Sequence, residues 1–180
     1  MHNLLFLLLL ATFTFPTYGQ SLTRQTDRLA RLLDEVEYHL QHRDLQASEI
    51  SDADVAWHLD HLLKVYNNLH RALASSDPAT YRNNVNFTRG VVFSTGVIPR
   101  GRAQAPVSVR PPENITNEAI LEQLAKARQL LTEFEAIDAK ANYDHAVFGL
   151  LRRNQVVKFI RIHTHHHLKI VRDIVEAAQE

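Results

Sequence analysis

The chain has 180 residues, 45% hydrophobic and 22% charged, enough for one globular domain with a sizeable core and no need of a second. Twenty Lys and Arg balance twenty Asp and Glu, so no global basic field recruits nucleic acid or an anionic membrane. Cysteine is absent, which excludes disulfides, a thiol nucleophile of the chain's own, iron–sulfur clusters and thiolate zinc sites; a metal site must draw on His, Asp, Glu or water.

The first residues, MHNLLFLLLLATFTFPTYGQ, carry an apolar run from Leu4 to about Phe15, ended by Pro16 and followed by the small-residue spacing at Thr17-Tyr18-Gly19 that a signal peptidase reads. The run falls short of the roughly 20 residues of a membrane span. Its leading end has no Lys or Arg, only His2 and the terminal amine. Residues 1–19 are expected to be a signal peptide and residues 20–180 an exported domain, periplasmic or secreted, with no stable membrane span; a cytoplasmic location is the alternative.

Four helices are predicted from spacing. The first, about Leu22 to Gln41, puts Leu22, Leu29, Leu32, Leu33, Val36 and Leu40 on one side. The second follows a cap at Ser51 or Asp52 and runs from about Val55 to Ala74. The third starts at the cap-like Thr116-Asn117-Glu118 and continues to about Ile137, and the fourth runs from about Asn154 to Ala177. No sheet-forming series is expected between them. Four long amphipathic helices imply an all-α four-helix bundle.

Between the second and third helices lie about forty residues, a length typical of lids and binding segments. Asp77-Pro78 predicts a short helical turn, and VVFSTGVIPRG an extended segment laid over the helices. Arg89, Arg100, Arg102 and Arg110 sit here, either for solubility and crossover contacts or for anion recognition over a pocket mouth. In the later connection, Phe148 is expected to plug the bundle end.

Four of the 11 histidines fall within His163-Thr164-His165-His166-His167. Advancing about 100° per residue from His163 places Val156, Phe159, Ile160, Ile170 and Ile174 within about 60° of it, and His167 at about 40°. Both histidines therefore lie in the apolar stripe, while His165 falls on the solvent face and His166 at the stripe's edge. Two imidazoles one turn apart match the i, i+4 geometry by which a helix presents two nitrogens to one metal. The second helix offers a third from His58, which points inward, or His61, at its stripe's edge; periodicity slightly favours His58 as the buried one. His2, His39, His42, His70 and His145 lack such a setting and are expected at the surface. A hydrogen-bonded polar core or a pH switch would also explain an inward cluster. Thr164 stands where a zinc peptidase of the H-E-x-x-H type has its Glu, and no G-x-S-x-G, Walker or dinucleotide loop is present.

SDADVAWHLDHLLKV, VIPRGRAQAP and HAVFGLLRRNQVVKFIRIHTHHHLKIVRDI together resemble the DinB-like (YfiT-like) superfamily of metal-dependent bundles, in its uncharacterised, domain-of-unknown-function branch. The resemblance implies a DinB-like four-helix bundle with a long crossover between helices 2 and 3. It implies metal ligands at His163 and His167, and its S-x-x-W/H-x-x-H pattern places the third at His61 rather than His58. His58 would then lie in the core or behind the ligands, and His166 would orient a ligand through its other nitrogen. The implied cofactor is a divalent metal ion, nickel or zinc, and a homodimer is implied as well. Activities in that superfamily suggest thiol transfer to a small-molecule substrate, whereas export favours a hydrolase that activates water on its metal. The alternative is a non-catalytic exported metal-binding or structural helical bundle. Asp60 and Asp144 are the candidates for a base.

Overall fold

The computed structural model describes residues 18–101 and 104–179. Residues 1–17 of the expected signal peptide, and Arg102 of the crossover, lie outside the described residues. Among those described, the chain is mostly helical: α1 (Tyr18–His39), α2 (Val55–Ala74), α3 (Phe87–Thr95), α4 (Asn117–Leu130) and α5 (Arg153–Ala177), with one antiparallel hairpin, β1 (Asn142–His145) and β2 (Gly149–Arg152). No described helix is long and apolar enough to cross a membrane.

The long helices form where the 3.6-residue period predicts them, because each buries a stripe. Leu22, Leu29, Leu33 and Val36 of α1 are buried, as are Val55, Leu62, Val65, Leu69 and Leu73 of α2 and Val156, Phe159, Ile160, Ile170 and Ile174 of α5. Each fully buried Leu or Ile contributes roughly 1.5–3 kcal/mol, far more than intrinsic helix propensity supplies per residue. Helices α1 and α2 each pack against both α4 and α5. Caps fix where they begin: Asp54 accepts the Trp57 N–H at 2.7 Å, and Thr116 accepts the Ala119 N–H at 3.1 Å.

Among the described residues the fold has five helices and a small hairpin, and the crossover between α2 and α4 is not extended. VVFST lies in α3, not in an extended segment, because Asn86 caps its start by accepting the Arg89 N–H at 2.8 Å and Gly96, at φ +70°, ends it in the left-handed conformation. The expected turn after Asp77 is present at Pro78–Thr80, with the Asp77 carboxylate accepting the Ala79 N–H. The third predicted helix stops at Leu130 instead of Ile137, and three-residue turn bonds from Glu133 to Leu130 and from Ala136 to Glu133 follow it. The β1–β2 hairpin was not expected. Phe148, at its tip, is buried against Phe93 and Phe159 as a plug.

Arg89 ties crossover to hairpin. Its buried guanidinium donates to the side chain and the backbone carbonyl of Asn84, and to the Phe148 and Leu150 carbonyls at 3.1 and 3.3 Å. These bonds give it a structural role. Arg100 pairs with Asp173 of α5 at 2.5 Å, and Arg110 donates to the Ala105 carbonyl at 3.2 Å.

Candidate metal centre

The Asp54 cap sets the first turns of α2, and so the direction in which His58 and His61 leave it. Across from them, α5 presents His163 and His167 one turn apart. One ring nitrogen from each of His61, His163 and His167 lies within 4.8 Å of the others. The ring centroids are 4.5 Å apart for His163 and His167, 4.7 Å for His61 and His167, and 5.2 Å for His61 and His163. Two imidazole nitrogens on one ion, each roughly 2.0–2.1 Å from it, are at most about 4.2 Å apart. Small ring rotations would therefore bring the three to coordination distance.

The remaining ring nitrogens suit that geometry. His61 Nδ1 lies 2.8 Å from the Val109 carbonyl and must donate to it, which leaves Nε2 with a lone pair. His167 Nδ1 lies 2.9 Å from His58 Nδ1, and His58 Nε2 lies 3.1 Å from Ser51 Oγ, which also accepts the Ala53 N–H. His163 Nδ1 is buried with no hydrogen-bond partner. Leaving such an atom unpaired costs about 1–3 kcal/mol; an ion bound at His163 Nδ1 would supply the missing interaction.

Burial pushes every imidazole here towards the neutral form. His163 and His167 are held well below the ordinary histidine range, first by desolvation and then by the neighbouring imidazoles. His61 is lowered by burial despite its bond to Val109 and the nearby Asp60. His58 is lowered to about 4 by burial, aided by His61, His166 and Arg100. Neutral nitrogens are what a metal ion requires.

The same shifts predict acid sensitivity without metal. Folded-state values below the unfolded value of 6.5 mean that acid protonates the unfolded chain first. Stability should be intact above about pH 6.5 and fall as pH drops towards about 4, the value at His58. Thermal unfolding in chelator across that window checks this; a flat midpoint would contradict it.

Among the described residues His166 makes no hydrogen bond to His61, His163 or His167. It packs edge-on against His167 at 5.1 Å and bonds the Ile98 backbone, and burial followed by Arg100 lowers it to about 4. The contact expected of it is made by His58 instead. His39 and His70 are buried, contrary to the surface placement; His39 lies against Tyr38 and 3.6 Å from Glu35, and His70 against Phe134 and 3.6 Å from Glu133. Phe134 lies beyond α4, which hid this contact from helical spacing. His145 is half-buried, stacked on Phe148, with Nδ1 accepting the Val147 and Phe148 N–H groups. His42 is half-buried, His165 is exposed as expected, and His2 lies outside the described residues.

Neither proposed base stands ready. Asp60 is buried, paired with Lys64 at 2.5 Å and accepting from Gln123 at 2.7 Å. Asp144 is exposed on the hairpin. Asp60→Ala should therefore cost about 1–2 kcal/mol of stability, because Gln123 loses its acceptor while the partly exposed Lys64 regains water. Denaturant unfolding reads this, and metal content should be unchanged. Spacing alone missed two neighbours of His61: Trp57, which stacks on it at 4.9 Å and 24°, and the Val109 carbonyl. The i, i+4 interval from Trp57 to His61 was the available signal for the first; a backbone carbonyl gives none.

A family model described as a protein of unknown function (DUF1569) matches residues 87–174, a stretch that includes His163 and His167 but not His61. No curated protein and no solved structure matches the chain. The match is to DUF1569 and not to the DinB-like superfamily, so the DinB-like resemblance is corrected, and the thiol chemistry and homodimer inferred from it lose their support.

Proposed function

We propose that this chain is a divalent-metal-dependent enzyme acting on a small molecule, with His61, His163 and His167 as ligands of a zinc or nickel ion. The observation that carries the reading is the convergence of three neutral imidazoles from two helices, one with an orphaned buried nitrogen. An ion bound by three such donors keeps positions for water or substrate, and supplies Lewis acidity that lowers the pKa of a bound water towards neutrality. Hydrolysis follows from that chemistry without a second co-substrate, and we place it ahead of thiol transfer.

The chain's own residues prepare the site. Val109 fixes the His61 ring, His58 contacts His167, and Trp57 covers His61 on one face. We read the frame holding them as four long helices packed as a bundle, with the crossover closing over one end. Export through residues 1–19 is part of the same proposal, and the N-terminal residue of the secreted chain would test it.

A second reading, a non-catalytic exported metal-binding protein, is favoured by the commitment of Asp60 to Lys64 and Gln123. Elemental analysis of untagged protein followed by a screen of ester, amide and phosphoester hydrolysis separates the readings. Metal with metal-dependent turnover supports the enzyme, metal without turnover the binding protein, and absence of metal after incubation with both ions overturns both.

A further inference from the structure

On the side of α5 away from the histidine cluster, α1 and α3 border a cleft of about 380 Å³. Arg28 of α1 and Lys158 and Arg161 of α5 line it, with His165 beside them. None of Arg28, Lys158 and Arg161 has a carboxylate within 4.0 Å among the described residues. Some of the chain's other arginines meet a carboxylate, as Arg100 meets Asp173, Arg128 meets Asp34 and Glu37, and Arg172 meets Glu35, and others do not; Arg28, Lys158 and Arg161 are set apart by lining one cleft together. In a chain of zero formal net charge, three unpaired cations converging on one cleft cost free energy by mutual repulsion unless an anion joins them.

The other walls also donate. Gln25 Oε1 accepts the Arg161 Nε–H at 2.6 Å, which orients the guanidinium and leaves the Gln25 amide nitrogen as a donor. Ser94 contributes a hydroxyl at the end of α3. Two carbonyls of that helix end are already occupied: Val91 accepts from Thr95 Oγ1 at 2.9 Å and Val92 from the Gly96 N–H at 2.8 Å. Lys158 lies 5.6 Å from the centre of the Phe93 ring, so an apolar wall adjoins the cationic one.

We propose that this cleft binds the phosphate group of a phosphomonoester, with Arg28, Lys158 and Arg161 as the charged contacts and Gln25 and Ser94 as neutral donors. Guanidinium forks match phosphate oxygens in pairs, and a doubly charged oxyanion offsets what a chloride ion would leave uncompensated. The cleft exceeds one phosphate in volume and has Phe93 at its wall, so the carrier is an organic phosphate, either soluble or a lipid headgroup. The site is separate from the three-histidine cluster and does not depend on metal there.

The test is a titration of inorganic phosphate into the isotope-labelled full chain at constant ionic strength, reading the Gln25 side-chain amide and the Ser94 backbone amide, with chloride as the control. Saturable shifts with phosphate alone are expected, with affinity weakened roughly tenfold or more in Lys158→Gln and Arg161→Gln. Arg28→Gln, at an exposed position, supplies the same reading if the half-buried variants fail to fold. A parallel arm uses phosphatidylcholine vesicles with and without phosphatidic acid: binding only to the latter, lost in Arg28→Gln, assigns the phosphate to a lipid, and phosphate shifts without vesicle binding assign it to a soluble ligand. No saturable shift and no vesicle binding, or responses identical in wild type and Arg28→Gln, overturn the proposal.

Discussion

A His163→Ala variant is expected to retain no zinc or nickel after desalting, where the wild-type chain holds about one ion. The reason is the donor count. Removing His163 leaves His61 and His167, and two imidazoles with water do not compete with a chelating buffer. The loss should exceed the roughly 10–100-fold that follows from disturbing a residue behind a ligand. Stability supplies a second readout. An ion at a hundred times its dissociation constant stabilises the folded chain by about 2.7 kcal/mol, a rise of several degrees in midpoint for a chain of this size. The rise should vanish in His163→Ala. His165→Ala is the control, because His165 is exposed on the other face of the same helix. Retention of metal in both variants, or in neither, would sink the three-histidine site.

Much of the frame was legible because long helices announce themselves through burial. The span 55–74 read from spacing coincides with α2, whose inward positions from Val55 to Leu73 repeat at helical intervals. The α3 segment misread because Val91, Val92 and Phe93 favour strands by composition; the Asn86 cap and the Gly96 stop, which decide the matter, are single residues. The hairpin has strands of only four residues each, too short for alternation to register.

The site divides the same way. His163 and His167 were legible as a pair because one helix places both. Whether His58 or His61 faces the pair directly was not decidable from α2, since both are buried, at 4% and 5% exposure. Partners outside α2 separate them: the Val109 carbonyl, distant in sequence, takes the Nδ1 proton of His61, and Ser51, just before the helix, lies against His58. The family reading failed for a related reason. An H-x-x-x-H pair on an amphipathic helix is a general way to present two nitrogens, so it points to metal chemistry more strongly than to ancestry.

That division of roles makes His58 the second position with a large expected effect. With an ion on His167 Nε2, the proton of that ring must sit on Nδ1 and point at His58 Nδ1, 2.9 Å away. His58 then carries its own proton on Nε2, directed at Ser51 Oγ. Reversing the chain, with Ser51 donating to His58 and His58 to His167, would put the proton on His167 Nε2 and block coordination. If His167 is a ligand, His58 is a positioning residue that selects its tautomer. His58→Phe fills similar space and removes both bonds, and should weaken metal affinity about 10–100-fold. His58→Gln can accept from His167 through Oε1 and donate to Ser51 through Nε2, and should restore part of the loss. The imidazole nitrogen resonances of His167 provide a readout that a merely structural role would not move: Nδ1 protonated in the wild type with metal, mixed tautomers in His58→Phe. Equal affinity in wild type and His58→Phe would remove His58 from the site and leave its bond to His167 as a feature of the core alone.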